Sequence, residues 1–178
     1  MSDITTSTQT YILFELADTT YGISSQVVQQ MEMIEQITPV PNTLPFVEGV
    51  VFSRGQVIPA INLRVRFGLE KTAYNLRTRL IVIQTNHRTV GVIVDTAREF
   101  LALSEDIIQP PPEGMSHLSG RYLAGVATLE KRVVLILNVE ELFNDESVAE
   151  DFKIKRQQPI SEFSTGSMGV GGKRNEKL

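Results

Sequence analysis

Few side chains in this 178-residue chain could perform chemistry, and their spacing argues against it. The two histidines are His87, in the polar stretch Asn86-His87-Arg88, and His117, in a loop; neither has a nucleophile or carboxylate placed for acid–base work. Cysteine is absent, which removes thiolate ligands, thiol nucleophiles and disulfides together. No grouping of His, Asp and Glu has metal-ligand spacing, so neither a metal nor another cofactor is expected. Glu140-Glu141 follow Asn138 as the acidic first turn of a capped helix would, and Asp95, at a strand end, suits a turn. Gly172-Lys173 matches the close of a phosphate-binding loop, but Ser167 stands where the leading Gly belongs, Arg174 replaces the needed Ser or Thr, and no strand precedes. The residues predict a protein that is not an enzyme.

Charge points the same way. The net charge is −4, yet residues 151–178 hold six Lys/Arg against three acids, so the first 150 residues carry −7. An acidic body does not suit general binding to phosphate backbones, which depends on clustered cations releasing counterions. One stretch is an exception: Arg54, Arg64, Arg66, Lys71, Arg77 and Arg79 face only Glu70, a local +5 that reads either as solvated surface or as a docking face for an acidic protein.

The elements that must position these groups are written twice. Phe46-Val47-Glu48-Gly49-Val50 leads to Val57-Ile58-Pro59-Ala60-Ile61-Asn62-Leu63, and 76 residues on Tyr122-Leu123-Ala124-Gly125-Val126 leads to Val133-Val134-Leu135-Ile136-Leu137-Asn138-Val139. Upstream, Ile12–Leu16 leading to Thr20–Ile23 is repeated by Ile81–Thr85 leading to Thr89–Val92, at an offset of 69. Short Val, Ile, Leu and Phe runs separated by Asp18-Thr19, Arg54-Gly55 and Glu130-Lys131 are strands joined by turns. Val27, Met31 and Ile34 fall at i, i+4 and i+7, which predicts a short helix over 24–35 capped by Ser24 or Ser25. Asn138 predicts a second helix closing the chain's second half.

Four or five short strands cannot bury a flat sheet on both faces, whereas curling into a small barrel removes their exposed edges. The prediction is an all-β fold of two packed five-stranded barrels joined along an apolar seam, with barrel 1 over about 10–78 and barrel 2 over about 79–150. Pro39–Pro45 and Gln109–Gly114 are stiff connectors at matching places. Residues 1–9 and the polar, glycine-rich 151–178 are expected to be unstructured. No apolar run approaches the roughly 18 residues that cross a bilayer, and no secretory signal opens the chain, so a cytoplasmic protein without membrane insertion is expected. Two similar barrels present unlike docking faces, and contacts between unlike faces build rings or arrays. The alternative reading is a tandem-barrel nucleic-acid binder; against it, aromatic residues make up only 7%, Trp is absent, and Phe14, Phe46 and Tyr122 occupy strand positions that read as core.

The order Tyr21-Gly22-Ile23, Phe46-Val47-Glu48-Gly49-Val50, Ser53-Arg54-Gly55, Ile58-Pro59-Ala60-Ile61-Asn62-Leu63-Arg64 and Gly91-Val92-Ile93-Val94-Asp95 resembles the CheW-like coupling proteins of bacterial chemosensory systems. The likeness runs from about Tyr11 to Glu150. It implies two SH3-like barrels and a non-enzymatic adaptor linking the cytoplasmic tip of a methyl-accepting chemoreceptor to the regulatory domain of a CheA-type histidine kinase. It also implies a receptor-facing surface of Val28, Gln30, Gly49 and Arg54, with a groove extending to Ala97 and Phe100. In that picture Val28 and Phe100 give apolar contact, Gly49 allows close backbone approach and Arg54 gives a charge-assisted hydrogen bond. Gly49 has a competing explanation, a β-bulge shared with its repeat twin Gly125. The chain departs from the family pattern at Gln30, where Glu is usual, at Phe52-Ser53, where Asn-Leu is usual, and at Asn62, where Asp is usual. Flagellar chemotaxis, pilus-based motility and phototaxis all use such an adaptor.

Overall fold

The structure, a computed structural model, describes residues 7–114 and 120–144. The expectations for residues 1–6, for His117 and for the tail over 151–178 lie outside the described residues. Eleven strands run in the order β1 (Thr8–Leu16), β2 (Thr19–Ser24), β3 (Val28–Met33), β4 (Val47–Ser53), β5 (Gln56–Asn62), β6 (Arg79–Gln84), β7 (Thr89–Val94), β8 (Thr96–Ser104), β9 (Ile108–Gln109), β10 (Leu123–Leu129) and β11 (Arg132–Leu137). Two short helices, α1 (Leu63–Arg66) and α2 (Val139–Phe143), follow β5 and β11. β1 begins inside the segment expected to be unstructured, because Thr8 and Gln9 pair with Ser104 and Leu103.

The fold is mainly β, in two sheets ordered β8-β1-β2-β11-β10-β9 and β3-β6-β7-β5-β4. Each curls back on itself. Thr38, leaving β3, bridges to Val50 of β4, and β9, following β8, pairs with β10. One sheet therefore has six strands rather than five, the sixth being the two-residue β9.

The duplication holds strand by strand. β2 runs parallel to β11 with Gly22 opposite Ile136, and β7 runs parallel to β5 with Gly91 opposite Ala60, so both offsets of the repeat meet at equivalent points. Asn62 caps α1 by accepting from the Val65 N–H, as Asn138 caps α2 by accepting from the Glu141 N–H.

Division at residue 78 does not hold. The sheets exchange hairpins: β1-β2 joins the strands of the second half, and β6-β7 joins β3, β4 and β5. Local patterning specifies a hairpin but not which sheet receives it, and the parallel pairs that decide this need long crossovers.

The predicted helix over 24–35 is also replaced. Ser25–Val27 form a single 3-10 turn capped by the Ser24 side chain, and Val28–Met33 form an edge strand on β6. The pairing skips Gln29, which bulges, so Val28 and Met31 lie opposite Ile83 and Ile81 on one face at a spacing of three. A bulge in a strand thus reproduces helical spacing.

The two central hairpins are buried on both faces, which accounts for their unbroken apolar runs. In β1, Tyr11 and Leu13 face the interior of their own barrel with Leu103, Val134 and Ile136, while Ile12, Phe14 and Leu16 face the seam. In β6, Leu80 and Val82 face their interior with Ile58 and Ile93, while Ile81 and Ile83 face the seam. Each buried Ile, Leu or Phe contributes about 1.5–3 kcal/mol, so apolar burial supplies most of what holds the barrels together. Phe14, Phe46 and Tyr122 are core, as expected. Across the seam Arg66 sits between Phe46 and Tyr122, 4.8 and 4.9 Å from their ring centroids, and donates to the Tyr122 hydroxyl at 2.7 Å.

Candidate functional site

The turn joining β4 to β5 is a two-residue loop, Arg54-Gly55, with Ser53 opposite Gln56. Arg54 has φ 45° and Gly55 φ 82°, the left-handed pair that suits the twist of the flanking strands. This places the Arg54 side chain at an exposed tip, without an ion-pair partner among the described residues. Gln30 of β3 reaches the same place: its Nε2 donates to Ser53 Oγ and, at 3.1 Å, to Glu32. Gln30 and Arg54 line one cleft with Gln29, Gln56 and Thr89 over Val82 and Ile58, at the mouth of the five-stranded barrel. The Gln30 Oε1 atom is buried there without a hydrogen-bond partner.

The other expected residues divide. Val28 and Ala97 are repeat equivalents, each just before a bulge, and both pack into the seam. Ala97 is only 3% exposed and is core rather than available surface. Phe100 lies opposite Ile12 and shares its face of β8, yet is 62% exposed. It is therefore available for contact rather than core. Gly49 is buried. A Cβ on it would strike the Thr38 carbonyl oxygen, its φ is 145°, and the strand register shifts there, as it does at Gly125. The close approach that Gly49 permits is internal, to the Thr38 backbone, so the bulge explains it.

The cationic stretch from Arg54 to Arg79 is mostly used internally and is not a continuous docking face. Arg64 pairs with Asp95, which also accepts from the Ala17 N–H at 2.7 Å and so ties the β1-β2 turn to α1. Lys71 pairs with Glu48 at 2.6 Å, Arg66 lies between the two rings, and Arg79 donates to the carbonyls of Leu76 and Thr78. Arg54 and Arg77 remain.

Asn62 also finds a reason. Its Nδ2 donates to Glu48 at 2.9 Å and lies 3.4 Å from the Tyr74 hydroxyl. Burial works to raise the Glu48 pKa, but hydrogen bonds from Lys71, Asn62 and Tyr74, with the Lys71 charge, outweigh it and hold the carboxyl below its ordinary range. Burial, and then the Glu48 charge, push the Tyr74 phenol well up. An aspartate at 62 would set two carboxylates against each other.

Three neighbours of the site escaped the sequence reading: Ser53, which fixes Gln30, and the cross-strand pair Phe52 and Val57, which are 76% and 66% exposed beside Arg54. For Gln30 itself the repeat carried a further signal: extending the offset of 69 past the hairpin aligns it with Glu99, and both are polar strand residues that follow a bulge.

A family model described as the CheW-like domain matches residues 10–147. The chain is 34% identical over 141 residues to the chemotaxis protein CheW of Klebsiella aerogenes, covering 79% of this chain and 85% of the relative. It is 29% identical over 136 residues to protein FrzA of Myxococcus xanthus, covering 75% and 84%. The crystal structure of the scaffolding protein TtCheW from Thermoanaerobacter tengcongensis superposes with a TM-score of 0.73 at 28% identity, over 79% of this chain and 96% of that one. With the duplicated barrels, the paired bulges and the Arg54-Gly55 turn in place, these similarities settle the kinship: the chain belongs to the CheW-like domain family.

Proposed function

We propose that this chain is a non-enzymatic adaptor that couples the cytoplasmic helical tip of a methyl-accepting chemoreceptor to the regulatory domain of a CheA-type histidine kinase, in a chemotaxis or related motility system. The observation that carries it is the Arg54 tip: an exposed guanidinium without an ion pair among the described residues, held on a rigid two-residue turn beside the Gln30 cleft. Such a group is free to form a charge-assisted hydrogen bond with an acidic or carbonyl-bearing partner helix. Val28 and Phe100 border the seam and supply apolar contact, Ala97 belongs to the core, and Gly49 supports the site by closing the five-stranded barrel. The likeness to FrzA keeps systems other than flagellar chemotaxis within this reading. Among the described residues no helix is long and apolar enough to cross a membrane, which suits an adaptor peripheral to receptor arrays.

The test is Arg54→Glu. Receptor-tip pull-down should fall by tenfold or more, while the circular dichroism spectrum and binding of the kinase regulatory domain stay unchanged. Undiminished receptor capture by this variant removes Arg54 from the site.

A further inference from the structure

The Gln30–Arg54 cleft has a twin. By strand register, Gln29 and Gln30 of β3 correspond to Arg98 and Glu99 of β8, and by the 76-residue offset Gln56 corresponds to Arg132. These counterparts meet in a second cleft of about 170 Å3 at the mouth of the six-stranded barrel, floored by Leu13 and Phe14. Its chemistry is different. Where the first mouth holds three amides and the single Arg54 guanidinium, the second holds three guanidinium groups, Arg77, Arg98 and Arg132, against the carboxylates of Glu15 and Glu99.

Glu99 is already engaged, accepting two hydrogen bonds from Arg132 at 2.6 and 2.9 Å. Arg77 and Arg98 have no ion pair or guanidinium hydrogen bond among the described residues. The bulge in β8 falls at Arg98: Leu13 faces Glu99 and Phe14 faces Ala97, so Arg98 is the extra residue. Bulges commonly re-aim a side chain in this way. Thr96 lies on the wall shared with the neighbouring cleft, with its Oγ1 buried beneath that wall. Two exposed apolar side chains flank the opening in sequence, Leu76 before Arg77 and Val133 after Arg132. A shallow mouth with cations inside and apolar residues outside fits a peptide segment better than a free ion, because the flanking groups of a peptide can cover the rim.

We propose that the mouth of the six-stranded barrel is a second docking recess, which takes a carboxylate side chain of an acidic, leucine-bearing protein segment between Arg77 and Arg98. This site is separate from the Arg54 tip and does not rest on the receptor reading.

The experiment is an amide-shift titration of the full 15N-labelled chain with an acetylated, amidated hexapeptide of alternating Glu and Leu, compared with the same peptide carrying Gln for Glu and with inorganic phosphate. The expected result is saturable shifts of the Arg77, Thr96 and Arg98 amides with a Kd of about 1 mM or tighter. The Gln peptide should produce none. Arg77→Gln with Arg98→Gln should weaken binding at least tenfold with the remaining amide spectrum intact, since both side chains are exposed. Arg54→Glu should leave binding as it was. The proposal is overturned if the shifts fail to saturate, if they centre on the Arg54 tip, if the double substitution leaves binding unchanged, or if phosphate saturates the same amides as tightly as the peptide.

Discussion

Replacing Gly49 by alanine separates a fold-closing role from a contact role, and the structure sets the size of the effect. The new Cβ would lie 2.8 Å from the Thr38 carbonyl carbon and 3.0 Å from the Pro39 Cα, both of them backbone atoms that cannot rotate away. Relief requires the 38–39 segment to leave β4, breaking the hydrogen bonds Thr38 N to Val50 O at 2.8 Å and Val50 N to Thr38 O at 2.9 Å. Two such bonds contribute about 1 kcal/mol each. Holding a non-glycine residue at φ 145° costs a further 1–3 kcal/mol or so. The total, about 3–5 kcal/mol, should lower Tm by roughly 10 °C or more and shift the urea midpoint at constant slope. Gly125→Ala is the internal comparison. Its Cβ would meet Ile108 Cγ2 at 2.5 Å and the Gln109 carbonyl oxygen at 2.9 Å, so it too should destabilise, by about 1–3 kcal/mol. A Gly49→Ala protein with unchanged Tm and lost receptor capture would refute this reasoning and return Gly49 to the contact surface.

Asn62→Asp should cost about 2–3 kcal/mol at neutral pH, because the donor to Glu48 becomes a second carboxylate in a partly buried site. The loss should shrink below about pH 5 as the pair takes up a proton, and adding Glu48→Gln should restore the urea midpoint. In the wild type, the folded Glu48 pKa lies below its ordinary 4.5, so its contribution to stability is fully present above that value and is lost as pH falls through the lowered one. Glu48→Gln should accordingly flatten the stability curve between about pH 5 and pH 3, as read by chemical denaturation at each pH.

What the sequence made legible was whatever is fixed locally or by repetition. The hairpins, the Asn138 cap, the matching glycines and the apolar seam all follow from short apolar runs bounded by turn residues and from two constant offsets. The edge strand β3 did not, because its partner β6 lies about fifty residues away and its bulge at Gln29 spaces Val28 and Met31 as a helix would. The exchange of hairpins was hidden for a related reason: a parallel pair such as Ala60 with Gly91 leaves no local mark. At the site, the Arg54-Gly55 turn was legible from its composition, and the structure puts Arg54 and its repeat counterpart Glu130 at left-handed turn positions, φ 45° and 47°. Arg64, Lys71 and Arg66 of the cationic stretch were misleading, since only the fold shows that Asp95, Glu48 and two aromatic rings already occupy them.

Duplication allows a comparison that a single domain does not. Positions that close the barrels have kept the same chemistry in both copies: Asn62 with Asn138, Gly49 with Gly125, Gly22 with Gly91. At the two barrel mouths the equivalents have diverged in charge: Arg54 against Glu130, Gln29 against Arg98, Gln30 against Glu99, Gln56 against Arg132. Fold stability does not demand this, because exposed charges contribute within about 1 kcal/mol whichever sign they carry. Unlike partners do demand it, since electrostatic complementarity fixes which partner docks at a surface more than it fixes affinity. An adaptor built from two copies of one barrel can hold two different proteins only if its mouths stop being interchangeable, and at their mouths these two copies differ in charge.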